Sequence, residues 1–237
     1  MATIVLVHGG WTGGWRWRPA IGPLRAAGHE VFAPTLTGLG ERVHLARPDI
    51  DLDTHVLDVF NLLVAEDLST VVLVGHSYGG LVITGVADRC PERIGHLIYL
   101  DAFVPHDGES LLDLVAPEAR QMIDDGRRDG DDAWRADRPN DARPRPRPTP
   151  SPRDSPQPWQ TFAQGIGVSN PAAAKLPRLY VRATADKQPG GFMAHSFAIS
   201  FARVRREGWP IREVALDHNE VRDKAAAILL DLLPPSA

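Results

Sequence analysis

The sequence predicts one α/β domain on a mostly parallel sheet, and three observations lead there. Apolar runs of strand length alternate with helical patterns from the third residue onward. Several of those runs are continuously apolar, as strands covered on both faces must be. The alternation stops after Asp101 and resumes near Arg178, so one core is interrupted by an insertion. A chain of 237 residues is long enough for such a domain with material to spare.

TIVLV (3–7) is the first strand. WRPAIGPLRAAGH (17–29) has helical spacing and closes at Gly28, where glycine takes the left-handed conformation that ends helices. EVFAP (30–34) is a strand, and THVLDVFNLLVAEDL (54–68) a helix capped by Thr or Asp. TVVLVG (70–75), GGLVITGVADRC (79–90) and IGHLIYLD (94–101) read as strand, helix and strand. After the interruption come the strands RLYVRATAD (178–186) and IREVALDH (211–218), then a closing helix NEVRDKAAAILLDLL (219–233). The total is about six strands with helices on both faces.

Residues 1–103 and 177–237 therefore form the core, and 104–176 an inserted helical cap. An insertion at the carboxyl end of a strand lies over the crevice where such sheets bind ligands. GESLLDLVAPEARQMIDDG (108–126) gives short helices broken at Pro117. PNDARPRPRPTPSPRDSPQP (139–158) is too rich in proline for any helix, and an extended polyproline-like or mobile loop is expected.

Composition narrows the function. A formal net charge of −4 gives no electrostatic case for nucleic acid or an anionic membrane. Cys90 is the single cysteine, so no intrachain disulfide framework or metal knuckle is expected. MATIVLVHGG lacks a basic leader region and its apolar run is short, which points to a cytoplasmic protein that does not enter a membrane. GWTGG has neither the Lys of a phosphate loop nor a dinucleotide spacing, and His44 and His55 lack partners at ligand spacing. Neither cofactor nor metal is expected.

The chemistry begins at Gly75-His76-Ser77-Tyr78-Gly79, a G-x-S-x-G that follows a buried-type strand and opens a helix. In that setting the serine sits on a sharp turn with its hydroxyl above the sheet. A hydroxyl needs a base, and His218 lies in the loop after the last strand. The bland role for that histidine is only to start the helix. Two carboxylates stand at strand ends to orient the base: Asp186 is preferred, because it gives the order Ser…Asp…His, and Asp101 is the alternative. The HGG of residues 8–10 can turn its backbone inward, making the amides of Gly10 and Tyr78 the expected oxyanion donors. Trp11, His76 and Phe103 are candidate pocket residues, and His8 is expected to brace its loop.

VLVHGGWTGGWRW, AAGHEVFAPTLTGLGER and VVLVGHSYGGLVITGVADRCPERIGHLIYLDAFVPHDGESLLDL, with THVLDV and SPQPW, resemble the bacterial branch of the plant methylesterase and hydroxynitrile lyase family of α/β-hydrolases. The resemblance implies the α/β-hydrolase fold, a triad of Ser77, Asp186 and His218, oxyanion donors at Gly10 and Tyr78, and a helical cap. Lyases of this family carry Thr and Lys where this chain has Gly9 and Asn219, so both positions point to ester hydrolysis. The family's glycine before the catalytic histidine is Asp217 here, which predicts a second carboxylate crowding the imidazole.

The expected function is thus a carboxylesterase-type serine hydrolase that cleaves a small, largely apolar ester through an acyl-enzyme, as monomer or homodimer. A lactonase, thioesterase or other tailoring hydrolase is the nearest alternative. A ligand-binding protein with weak turnover follows if Asp217 disables the base, and a hydroxynitrile lyase comes last.

Overall fold

A computed structural model describes residues 1–139, 153–187 and 192–233, the last segment as backbone only over 192–195. The chain runs β1 (Thr3–Val7), α1 (Arg18–Ala26), β2 (Glu30–Phe32), α2 (Leu52–Ala65), β3 (Val71–His76), α3 (Gly79–Arg89) and β4 (Ile94–Leu100). Short elements follow: α4 (Leu111–Leu114), α5 (Pro117–Asp124), β5 (Arg135–Ala136), β6 (Gln157–Pro158), α6 (Gln160–Ala163) and α7 (Pro171–Ala174). Then come β7 (Arg178–Ala183), α8 (Phe192–Arg206), β8 (Ile211–Val214), α9 (His218–Asp223) and α10 (Ala225–Leu232).

Six strands form one sheet in the order β2-β1-β3-β4-β7-β8, and every neighbouring pair is parallel. Alternate side chains of each strand enter different cores. Ile4 and Leu6 of β1 pack with Trp17 and Leu24 near α1 and with Val221 and Leu229 from α9 and α10. Val5 and Val7 pack with Val56 and Val59 of α2 and Leu81 and Val82 of α3. Both faces are covered, which is why these strands read as unbroken apolar runs.

The topology fixes where a ligand can bind. From β1 the chain moves outward to β2, then crosses back to lay β3 on the other side of β1. The carboxyl ends of β1 and β3 flank that reversal, the point where open parallel sheets leave a crevice.

The described residues of 104–176 contribute no strand to the main sheet. The short helices expected to break at Pro117 are α4 and α5, and Pro117 is the first residue of α5, as its fixed φ and missing N–H allow. The loop expected at 139–158 lies largely outside the described residues, and its end departs from expectation. Gln157 and Pro158 pair with β5 in a two-stranded antiparallel ribbon, and the Gln157 side chain is fully buried. Its Oε1 accepts the Trp11 N–H at 2.8 Å, and its Nε2 donates to Thr161 Oγ1 at 2.7 Å. Those two bonds tie down the end of the proline-rich run.

Two further differences bear on the site. Helix α8 was not anticipated, and the closing helix is two helices that meet at Lys224. No helix among the described residues is long and apolar enough to cross a membrane.

Candidate active site

Strand β3 is buried at every residue and ends in a turn with almost no room around it. A Cβ on Gly75 would meet the Gly79 carbonyl oxygen at 2.6 Å, and one on Gly79 would meet the Val7 carbonyl oxygen at 2.6 Å. The glycines let helix and strand touch, and the strained position between them is a serine. Ser77 holds φ at +56°, a region that costs a residue with a Cβ on the order of 1–3 kcal/mol. It lines a pocket shared with His218, Gly9, Gly10, Trp11 and Tyr78.

His218 enters on the first turn of α9. Its Nδ1 lies 2.7 Å from Asp101 Oδ2, and its ring stacks on Phe197 with centroids 4.8 Å apart. Its backbone N–H donates to Asp186 Oδ2 at 2.9 Å. The carboxylate on the ring is therefore Asp101, and the preference for Asp186 is corrected. Sheet order supplies the reason. β4 lies directly beside β3, and Asp101, fully buried with φ +43°, turns its carboxylate toward the His218 loop from the end of β4. Asp186 lies beyond the end of β7 and meets the histidine's main chain instead.

Asp101 is held from several sides. Its Oδ1 accepts the Ala183 N–H at 3.2 Å, and the Lys187 ammonium lies 2.7 Å from its Oδ2. Burial pushes the Asp101 carboxyl up, with Lys187 opposing that shift. Burial pushes His218 well below the usual imidazole range, and the Lys187 charge adds to it. The ring is thus neutral at ordinary pH, with a proton on Nδ1 shared toward Asp101 and Nε2 left as the lone-pair nitrogen.

The expected crowding by Asp217 does not occur. Its carboxylate caps α9, accepting the N–H groups of Asn219 and Glu220 at 2.8 Å each, while Glu220 accepts the Asp217 N–H at 2.9 Å. This reciprocal capping box fixes the first turn, and with it His218.

His76 and His8 brace the loops. His76 Nε2–H donates to the His218 carbonyl at 2.8 Å, and the two rings lie 4.4 Å apart. His8 donates from Nδ1 to the Gly9 carbonyl and accepts the Leu36 N–H at Nε2, so the tautomer is set; burial pushes it down to about 4. Trp11 lines the pocket, edge-on to Phe162 at 5.0 Å, and its indole N–H reaches the Ala136 carbonyl at 3.0 Å. The expected donor residues Gly10 and Tyr78 line the same pocket.

Phe103, Leu111, Val115, Ile123, Phe162 and Phe197 give the pocket an apolar lining, and Arg138, Asn219 and Arg222 a polar part. Trp11, His76 and Phe103, chosen from sequence, all lie on it. Phe197 and Lys187 were missed. The signal for Phe197 was present: Phe197, Phe201 and Val204 recur at helical spacing in FMAHSFAISFARV.

The alpha/beta hydrolase family profile matches residues 4–228. A carbendazim hydrolyzing esterase from Nocardioides sp. (strain SG-4G) is 56% identical over 115 residues, covering 48% of this chain and 48% of that protein. Salicylic acid-binding protein 2 from Nicotiana tabacum is 35% identical over 104 residues, covering 43% of this chain and 39% of that protein. These matches span about half or less of those relatives' length. An extracellular alpha/beta-hydrolase from a Paenibacillus species has the same fold, with a TM-score of 0.76 over 98% of both chains at 22% identity.

Proposed function

Because the chain belongs to the alpha/beta hydrolase family, we propose that it is a carboxylesterase-type serine hydrolase that cleaves a small, largely apolar ester through an acyl-enzyme. One observation carries this reading: a strained Ser77 shares a pocket with His218, whose Nδ1 meets the buried Asp101 at 2.7 Å. A nucleophile, a base and an orienting carboxylate are thus supplied by three neighbouring loops.

In this reading His218 Nε2 takes the Ser77 proton as Oγ attacks the ester carbonyl. The amides of Gly10 and Tyr78 receive the oxyanion. The imidazolium gives its proton to the departing alcohol as the C–O bond breaks and the acyl-serine forms. Water then enters, His218 takes one of its protons, and the acid leaves as Ser77 regains its own. Asp101 keeps the ring in one orientation and offsets the charge it briefly carries. Residues 104–176 act as a cap, supplying Leu111, Val115, Ile123 and Phe162 to the acyl side.

The apolar lining supports an apolar acyl group, and the Nocardioides relative named for hydrolysing carbendazim supports attack on ester-like carbonyls. Asn219, neutral and on the pocket wall, offers no cation to a departing cyanide. Asp217, bound to the helix amides, removes the reason to favour a binding protein without turnover.

The test is labelling by a fluorophosphonate with peptide mapping, alongside turnover of p-nitrophenyl acetate. Modification at Ser77, with labelling and turnover both lost in Ser77→Ala, is the expected result. Turnover that survives Ser77→Ala, or a label on another residue, would overturn the assignment.

A further inference from the structure

The mechanism gives Lys187 no task, yet its side chain is only 8% exposed. An ammonium taken that far out of water is costly unless it is well paired. Its Nζ lies 2.7 Å from Asp101 Oδ2 and 3.0 Å from Asp186 Oδ1, and 5.1 Å from the centre of the Phe197 ring. That Asp101 oxygen is the one facing His218 Nδ1, and the second Asp186 oxygen accepts the His218 backbone N–H. One ammonium therefore straps together two carboxylates that between them hold both the ring and the main chain of His218.

We propose that Lys187 is a positioning residue that acts through Asp101, neutralising its buried charge so that His218 stays unprotonated and ready to accept the Ser77 proton. The proposal rests on the esterase reading. Without Lys187, a buried carboxylate beside the imidazole would favour taking up one more proton, on the ring or shared between the two groups. With Lys187 in place the carboxylate is already matched, and the pair gains less by binding that proton.

Among the described residues, charged or titratable groups act on His218 from every side. Asp101 comes from the end of β4, Asp186 and Lys187 from beyond β7, and His76 from the end of β3. Arg222 lies on α9 itself, and Arg138 in the segment before 140. Arg222 and Arg138 have carboxylates of their own, Asp223 at 2.7 Å and Asp154 at 3.8 Å. Lys187 is distinguished by bonding the same oxygen that receives the ring.

The experiment is the pH dependence of kcat/KM for p-nitrophenyl acetate in the full chain, for wild type, Lys187→Met and Lys187→Arg. Removing the cation should raise the midpoint of the acid limb by about one pH unit, while Lys187→Arg, which keeps the charge, should stay near wild type. A midpoint unmoved in Lys187→Met, whatever happens to the plateau, overturns the proposal. Should that variant not fold, Lys187→Gln makes the same comparison. Nitrogen-15 NMR titration of the His218 ring, assigned with His218→Gln, reads the same midpoint without turnover. A wild type that hydrolyses no ester overturns the esterase reading and with it the catalytic role of Lys187, whereas an active wild type with an unmoved His218 midpoint in Lys187→Met overturns the Lys187 proposal alone.

Discussion

Ser77 and Asp101 are both non-glycine residues at positive φ, at +56° and +43°, on the ends of adjacent strands. Such backbones persist only where the surroundings over-determine them. Here the Asp101 N–H is held by the Val181 carbonyl at 2.7 Å, and the Ser77 carbonyl accepts the Phe103 N–H at 3.1 Å. Strain at these two residues is thus fixed by the sheet; it sets Ser77 on the pocket that His218 also lines and the Asp101 carboxylate on the His218 ring. The two candidate acids then differ in what they touch. Asp101→Asn replaces the group on Nδ1 with an amide that favours the wrong tautomer, and kcat/KM should fall by about 10⁴. Asp186→Asn keeps an oxygen for the His218 N–H, and the loss should stay within about tenfold. Steady-state kinetics of the two variants separate the roles, and the reverse order of losses would return Asp186 to the ring.

Helix α9 is six residues long, too short to hold its own first turn without help. The Asp217–Glu220 capping box supplies that help and, in doing so, positions His218 one residue later. Asp217→Ala should lower stability by about 1 kcal/mol and reduce kcat/KM as His218 loosens. Asp217→Asn, also a good cap, should keep both; urea unfolding and kinetics check the pair. If Asp217 instead crowded the imidazole, Asp217→Asn would shift the acid limb. The D-x-x-E spacing of Asp217 and Glu220 was in the sequence, but Asp217 was read as crowding the imidazole instead. Other local elements were read well: β1 and β3 are continuous apolar runs, and the Ser77 turn is a strand, a turn and a helix in immediate succession. The acid was not legible, because Ser…Asp…His holds for either carboxylate. Only the non-local fact that β4 lies between β3 and β7 selects Asp101. Helix α8 escaped because its start gave no cap signal, and Phe197 went unread with it.

At the scale of the whole molecule, the reversal between β1 and β3 gathers the functional loops onto one edge, and it also gathers buried histidines there. His8, His55, His76 and His218 are all inaccessible or nearly so. His55 donates from Nε2 to the Thr37 carbonyl and accepts the Tyr78 hydroxyl at Nδ1, both at 2.9 Å, so it is built as a neutral ring. Burial pushes both His8 and His55 down from 6.5 to about 4. The sign follows from proton counts. Between pH 6.5 and 4 the unfolded chain binds protons that the folded chain refuses, so stability is full above 6.5 and is lost as pH falls toward 4. Each group contributes on the order of 3 kcal/mol by the lower limit, a large part of what holds a domain together. The urea midpoint should therefore be flat near pH 7.5 and fall steadily below 6.5. The discriminating variant is His55→Gln, which cannot titrate. It should be less stable than wild type at pH 7.5, and the gap should narrow as pH drops to 5, because only wild type pays the protonation cost. A gap that stays constant over that range would mean that His55 is not held neutral by its burial.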